Sequence, residues 1–245
     1  MSRVPNLSEK VRPIIAQIRT IPITPKSDKA VPPAAPPFVT ISREAGGGAR
    51  QLAQELVNAL NVSDPGERPW TCWDRELVEK VAADCNLSQE LIESLEEHRY
   101  SWLGDFIGSF SHDNAPLADE ARIYGRVAAT IRALAHAGRV VIVGMGGIFV
   151  TRRMSGGLHV RLVAPFEQRV LYTMQYHHIP HEAAAHRVRQ LERNRQAFYG
   201  RYWPGESLDP ADFHLVLNTA LLEVAAMVQI IQTAVRMSVP APVRT

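Results

Sequence analysis

Three consecutive glycines, Gly46, Gly47 and Gly48, stand between Arg43 and Arg50 and lead into Ala49 and Gln51. Glycine reaches backbone angles closed to other residues, so successive N–H groups in such a run can converge on one anion. The chemistry this pattern suits is phosphate binding, with Gly46 to Gln51 as the cradle and Arg43 and Arg50 as flanking cations. A second concentration of charge lies further along, where Arg187, Arg189, Arg193, Arg195 and Arg201 are interleaved with Glu192, Phe198, Tyr199 and Tyr202. Crowded guanidiniums repel one another unless they are solvated or matched by anions, and polyphosphate would match them. A third candidate is the pair Asp74 and Arg75. Each has a purely structural alternative: a glycine-rich connection, a solvated basic helix, and a helix cap by Asp74 beside a solvent-facing Arg75.

The surrounding elements decide whether these residues can meet. Phe38 to Ile41 is a β-branched and aromatic run ended by glycines, which predicts a strand. Leu52, Leu56, Val57 and Leu60 recur at helical spacing, so the glycines open a helix whose positive end faces the turn. A Walker A loop has the form G-x-x-x-x-G-K-[ST]; here Ala49, Arg50 and Gln51 follow the last glycine, with no lysine and no Ser/Thr. Trp70 to Trp73 predicts a second strand, which puts Asp74 and Arg75 at its C-terminal end, where open parallel sheets bind ligands. Helices are expected over Leu77–Ala83 and Ser88–Glu97. Tyr100–Leu117 reads either as a segment that closes over ligand or as ordinary helix and loop.

Ala118–Ala137 reads as a long amphipathic helix stopped by Gly138, and Arg139–Val143 as a strand buried on both faces. Gly144, Gly146 and Gly147 turn the chain at its end. Leu158–Val163 and Phe213–Leu217 are the fourth and fifth strands, Pro165 opens the helix between them, and Leu221–Val235 is a closing helix. Strands alternating with helices predict an α/β fold of five parallel strands covered on both sides, with residues 38–42 in the middle.

The 245 residues are 46% apolar with a net charge of +2, too mild to imply nucleic acid. Cys72 and Cys85 make neither a disulfide framework nor a zinc set. No run approaches the ~18 apolar residues of a membrane span, so a cytoplasmic protein without a membrane partner is expected. Residues 1–37 hold eight of the 17 prolines and read as a flexible arm that could meet a protein partner or a second copy, leaving 38–245 as the domain. His177, His178, His181 and His186 are interrupted by Pro180 and lack acidic or Cys partners, so no metal site is expected there.

The order of these motifs resembles the cytidylate kinase-like family of P-loop proteins. Ile41-Ser-Arg-Glu-Ala-Gly-Gly-Gly-Ala-Arg-Gln-Leu-Ala53 is similar to the family's I-S-R-x-x-G-S-G-G-R-x-I-A. Trp73-Asp-Arg-Glu-Leu77 is similar to Y-D-R-E-[LI], Val141-Ile-Val-Gly144 to V-I-V-G, and Glu192 with Arg195 to a D-x-x-R lid motif. The resemblance covers residues 38–235. It implies a three-layer P-loop NTPase fold of the nucleoside monophosphate kinase type, with a helical lid at about 181–203. It implies transfer of a phosphoryl group from ATP, with Mg²⁺, to a nucleoside monophosphate. Arg195, with Arg189 and Arg50, would then serve catalysis, and Asp74 and Arg75 the acceptor. The chain departs from the pattern at Ala49, where true cytidylate kinases have lysine, at Met145, where an arginine follows V-I-V-G, and at Gly146, where they have aspartate. Two functions follow, a nucleotide kinase with an altered acceptor and a nucleotide-binding module without transfer.

Overall fold

The computed structural model describes residues 36–66, 68–83 and 118–237, together with Arg12 and Ala16. The expected arm, apart from those two residues and Pro36–Pro37, lies outside them, as do the expected helix Ser88–Glu97 and the segment Tyr100–Leu117. The elements in chain order are β1 (Phe38–Arg43), α1 (Ala49–Ser63), β2 (Thr71–Trp73), α2 (Arg75–Ala83), α3 (Ala118–Ala137), β3 (Val140–Val143) and α4 (Gly147–Thr151). They continue with β4 (Gly157–Val163), α5 (Phe166–His177), α6 (His181–Tyr202), a 3₁₀ turn (Pro210–Asp212), β5 (Leu215–Asn218) and α7 (Val224–Arg236).

The five strands form one parallel sheet in the order β2-β3-β1-β4-β5, with β1 central as its apolar run predicts. Ile41 pairs with Val143 on one side and Val160 on the other, so the middle of β1 is paired on both edges. One face packs Phe38, Trp73, Val140 and Ile142 against α2 and α3, through Val78, Val81, Ile131 and Leu134. The opposite face packs Val39, Ile41, Val141 and Val160 against α1 and α7, through Leu52, Leu56, Met227 and Ile231. Full burial of such a side chain stabilises by roughly 1.5–3 kcal/mol. A third, smaller cluster joins Ala45, next to the glycines, to Val170 of α5 and to Ala184, Ala185 and Val188 of α6. It seats the α5–α6 pair over the end of the central strand.

Several boundaries shift by a residue or more from the expected ones, and two of the shifts have a visible cause. β5 begins at Leu215 rather than Phe213, because Asp209 caps the 3₁₀ turn by accepting from Ala211 N–H and Phe213 closes that turn. α7 begins at Val224 rather than Leu221, because Asn218 captures the N–H groups of Ala220, Leu221 and Leu222 in a turn. Gly138 ends α3 at φ +69°, and a Cβ there would collide with Pro36. Arg139 N–H donates to Pro37 O at 2.6 Å, so the last prolines of the Pro-rich stretch pack on the sheet.

His159 in β4 is buried, its Nδ1 paired with Thr40 Oγ1 at 2.8 Å, while its own N–H donates to Nδ1 of His214 at 3.0 Å. Burial, then the neighbouring His214, pulls the His159 pKa down to about 3. The unfolded chain takes up a proton below about pH 6.5 that the native site refuses, so stability is full above that pH and falls as pH drops toward 3. Between pH 6.5 and 5.5 the loss is expected to be about 1 kcal/mol, or a thermal midpoint lower by roughly 2–4 °C. His159→Gln is expected to flatten that pH dependence; an unchanged slope in thermal unfolding of this variant would show that another group carries it.

Candidate functional site

The turn after β1 is shaped by contact with α5. Gly46 lies at φ +78° and Gly48 at φ +67°, and a Cβ on Gly46 would stand 2.6 Å from Arg169 O and 2.9 Å from Thr173 Oγ1. Only glycine fits this approach. Gly47 N–H donates to Glu44 O at 3.2 Å and Leu52 N–H to Gly48 O at 3.4 Å. Among the described residues, no backbone or side-chain acceptor takes the N–H groups of Gly48, Ala49, Arg50 or Gln51. Gly48 offers no side-chain cap and the first turn of α1 has no acidic residue. The helix therefore presents open donors and the positive end of its dipole to whatever fills the turn.

A half-buried ionic network holds this turn from the other side. Arg169 donates through Nε to Ala164 O at 3.0 Å, and through Nη1 to Ala45 O and to Glu192 Oε2, both at 3.2 Å. Glu192 Oε2 also accepts from Ala45 N–H at 2.9 Å, and Glu44 Oε2 from Ala164 N–H at 2.9 Å, 3.6 Å from Arg169 Nε. Arg195 Nη1 donates to Arg43 O at 2.8 Å. The Arg43 guanidinium lies against Gly144, where any Cβ would collide with it. Burial, then the repulsion of Arg195, pulls Arg43 down to about 10, and burial likewise lowers Arg195. Two cations are held close together at the C-terminal end of the central strand, and an anion there would relieve both.

The structure thus brings Arg43 and Arg195 to the end of β1, where the glycine turn begins. Arg50, with an exposed side chain, pairs with Asp74 Oδ2 at 2.8 Å at the rim of the turn, while Asp74 Oδ1 caps α2 by accepting from Leu77 N–H at 3.1 Å. The cap expected of Asp74 is thus present, and its second oxygen holds Arg50. Arg75 and Gln51 instead bond along their own helices, to Glu79 at 2.7 Å and Glu55 at 2.9 Å. Arg189 stacks on Phe166, its Cζ 4.7 Å from the ring centroid.

A cavity of about 470 Å³ runs on from the glycine turn, between Tyr172 of α5 and the β5–α7 connection at Thr219–Leu222. The Tyr172 ring lies beside Gly48 and nearly parallel to Tyr176, centroids 6.0 Å apart at 13°. Sequence reading missed these walls. The signals available were two tyrosines four apart on a helix and the general place of ligands at the C-terminal ends of parallel strands.

On the far side, the end of β3 is covered by aromatic side chains of α6. A Cβ on Gly146 would collide with the Trp203 ring, and Tyr124 stacks on Tyr202 with centroids 4.1 Å apart while its hydroxyl donates to Met145 O at 3.2 Å. Among the described residues no three His, Cys, Asp or Glu side chains are grouped to hold a metal ion. His181 pairs with Glu167 at 3.1 Å, and Asp74, Glu44 and Glu192 each have a protein partner.

The description of the cytidylate kinase-like family matches residues 38–221, and the chain belongs to that family. No curated protein matches it. An uncharacterized protein from Eubacterium ventriosum shares the fold with a TM-score of 0.63 at 16% identity, covering 82% of this chain and 98% of its own. A shikimate kinase from Bacteroides thetaiotaomicron aligns over 82% of this chain and 98% of its own, at 14% identity and a TM-score of 0.42.

Two glycine substitutions separate the tight turn from an ordinary helix position. Gly46→Ala adds a left-handed residue costing ~1–2 kcal/mol and a clash with Arg169 O, so its thermal midpoint is expected to fall by at least about 2–8 °C. Gly200→Ala on α6 meets nothing within 4 Å and is expected to stabilise by up to ~1 kcal/mol. Equal midpoints for the two variants would contradict the close packing of the turn on α5.

Proposed function

We propose that this member of the cytidylate kinase-like family binds a nucleoside triphosphate, its phosphates on the open N–H groups of Gly48 to Gln51 beside Gly46 and Gly47, and its base against Tyr172. It transfers the terminal phosphoryl group to a nucleoside monophosphate or a related acceptor. The observation that carries this reading is the row of open donors leading directly into a cavity whose size suits a bound organic ligand. In the transfer, the bond from the terminal phosphorus to its bridging oxygen breaks as the acceptor oxygen bonds to phosphorus, and the diphosphate leaves. Such chemistry asks the protein for position and charge, and here backbone donors, Arg43 and Arg195 supply both. Arg50 replaces part of the charge of the absent lysine by leaving Asp74, an exposed pair worth under ~1 kcal/mol.

The resemblance implies ATP as donor, accompanied by Mg²⁺. With no grouped carboxylates at the turn among the described residues, the ion would travel mainly on the phosphates and water, as this metal commonly does. The acceptor would stand toward β2 and β3, near Asp74 and Arg75. The reaction belongs in the cytoplasm, with residues 1–37 as an arm for a protein partner or a second copy. A second reading, nucleotide binding without transfer, is favoured by Trp203 and Tyr124 covering the end of β3 and by Met145 in place of an arginine.

Calorimetric titration of ATP tests the binding. Stacking of a base on an aromatic ring is worth ~1–3 kcal/mol, so Tyr172→Ala is expected to weaken ATP by about one to two decades. Arg50→Ala removes a charge-assisted contact of roughly 1.5–3 kcal/mol and is expected to weaken ATP similarly while leaving adenosine nearly unchanged. Absence of ATP binding to the wild-type chain would overturn the reading. ADP release with each nucleoside monophosphate then separates the kinase from the binding module: no turnover with any of them leaves binding alone.

A further inference from the structure

A second cavity, of about 230 Å³, lies between the first turn of α5 and the middle of α6, walled by Phe166, Arg169, Arg189, Glu192 and Arg193. We propose that it is an oxyanion site separate from the glycine turn, taking one phosphate group on Arg189 and Arg193. Its existence does not depend on nucleotide binding at the turn.

The charge around it is unbalanced. Arg43, Arg169, Arg189, Arg193 and Arg195 gather between this cavity and the end of β1, against the carboxylates of Glu44 and Glu192, and both carboxylates are already engaged. Glu192 holds Ala45 N–H and Arg169, and Glu44 holds Ala164 N–H and Arg169. Among the described residues, Arg189 and Arg193 have no carboxylate partner; Arg193 Nη2 donates to Gln190 at 2.6 Å, leaving its other donors for a ligand.

Phe166 makes the site more than a charged surface. Its ring carries the Arg189 guanidinium at 4.7 Å and that of Arg169 at 5.7 Å. A ring face orients a guanidinium without neutralising it, so its N–H fork stays ready for a second ligand. Arg189 and Arg193 are one helical turn apart and both face this cavity. The 12-residue helix α5 begins at Phe166 without a side-chain cap, but Glu167 in its first turn, paired with His181, offsets the positive end of its dipole, so the arginines carry the charge of the site.

The size selects the ligand. Sites for whole organic ligands measure roughly 300–1,000 Å³, and this cavity is smaller, fit for one phosphate with its water rather than a nucleotide. Guanidinium forks match phosphate oxygens in pairs, which favours phosphate over a halide. Arg169 lines both cavities, so an anion here would pull on the same side chain that fixes the glycine turn.

The test titrates inorganic phosphate into the full chain with ATP present at saturation, following the backbone amides of residues 166–169 and 188–196 by NMR. Saturable shifts are expected there, with affinity at least tenfold weaker in Arg189→Gln/Arg193→Gln, two exposed changes expected to leave the thermal midpoint unchanged. Arg189→Lys/Arg193→Lys keeps the charge but loses the fork, and an intermediate affinity is expected. A nucleoside monophosphate added last identifies the source: competition with phosphate assigns the site to an acceptor's phosphate, and no competition assigns it to the free ion. Shifts confined to residues 44–51, full displacement of phosphate by ATP, or equal affinity in the glutamine variant would each overturn the proposal. If ATP itself does not bind, the same titration without it still decides the cavity.

Discussion

A guanidinium withdrawn from water must be paired, and Arg169, only 12% exposed, is the residue on which the site depends. Its partners come from three places in the chain: Ala45 O beside the glycine turn, Ala164 O after β4, and Glu192 on α6, with Glu44 close by. Removing Glu192 would leave a largely shielded guanidinium short of a partner and Ala45 N–H without its acceptor. Position of the turn, of α5 and of α6 is therefore one constraint rather than three, and Gly46 packed on Arg169 O closes it sterically.

From this follows what the end of the sheet can do. Because Glu192 clamps α6 to Ala45, Arg195 on the next turn reaches Arg43 O and the aromatic end of α6 reaches Tyr124 and Gly146. One helix thus supplies cations over β1 and covers the end of β3. The open donors of α1 remain on the other side of the turn, toward Tyr172. The open donors of α1 and the aromatic cover of α6 therefore lie on opposite sides of the turn.

Much of this was readable from residue types. The run Phe38–Ile41 and the stripe Leu52, Leu56 and Leu60 marked the central strand and first helix because both are buried by near-neighbour elements with simple periodicity. Gly138 marked the end of α3 for the same local reason. What was not readable rests on distant pairs: Arg169 with Glu192 is a contact between two helices, and Arg189 on Phe166 depends on how α5 and α6 are aligned. Arginine spacing alone could not divide Arg195, turned to β1, from Arg189, turned to α5. Boundaries failed where side chains competed with the backbone, as Asn218 does at the start of α7.

The most direct measurement is the amide spectrum of the glycine turn during titration with ATP. Gly46, Gly47, Gly48, Ala49, Arg50 and Gln51 are predicted to shift together and to saturate with one affinity, while the exposed Gly200 amide stays in place. If those amides remain unmoved while ATP binds, the nucleotide sits elsewhere and the phosphate-binding account of the turn is wrong.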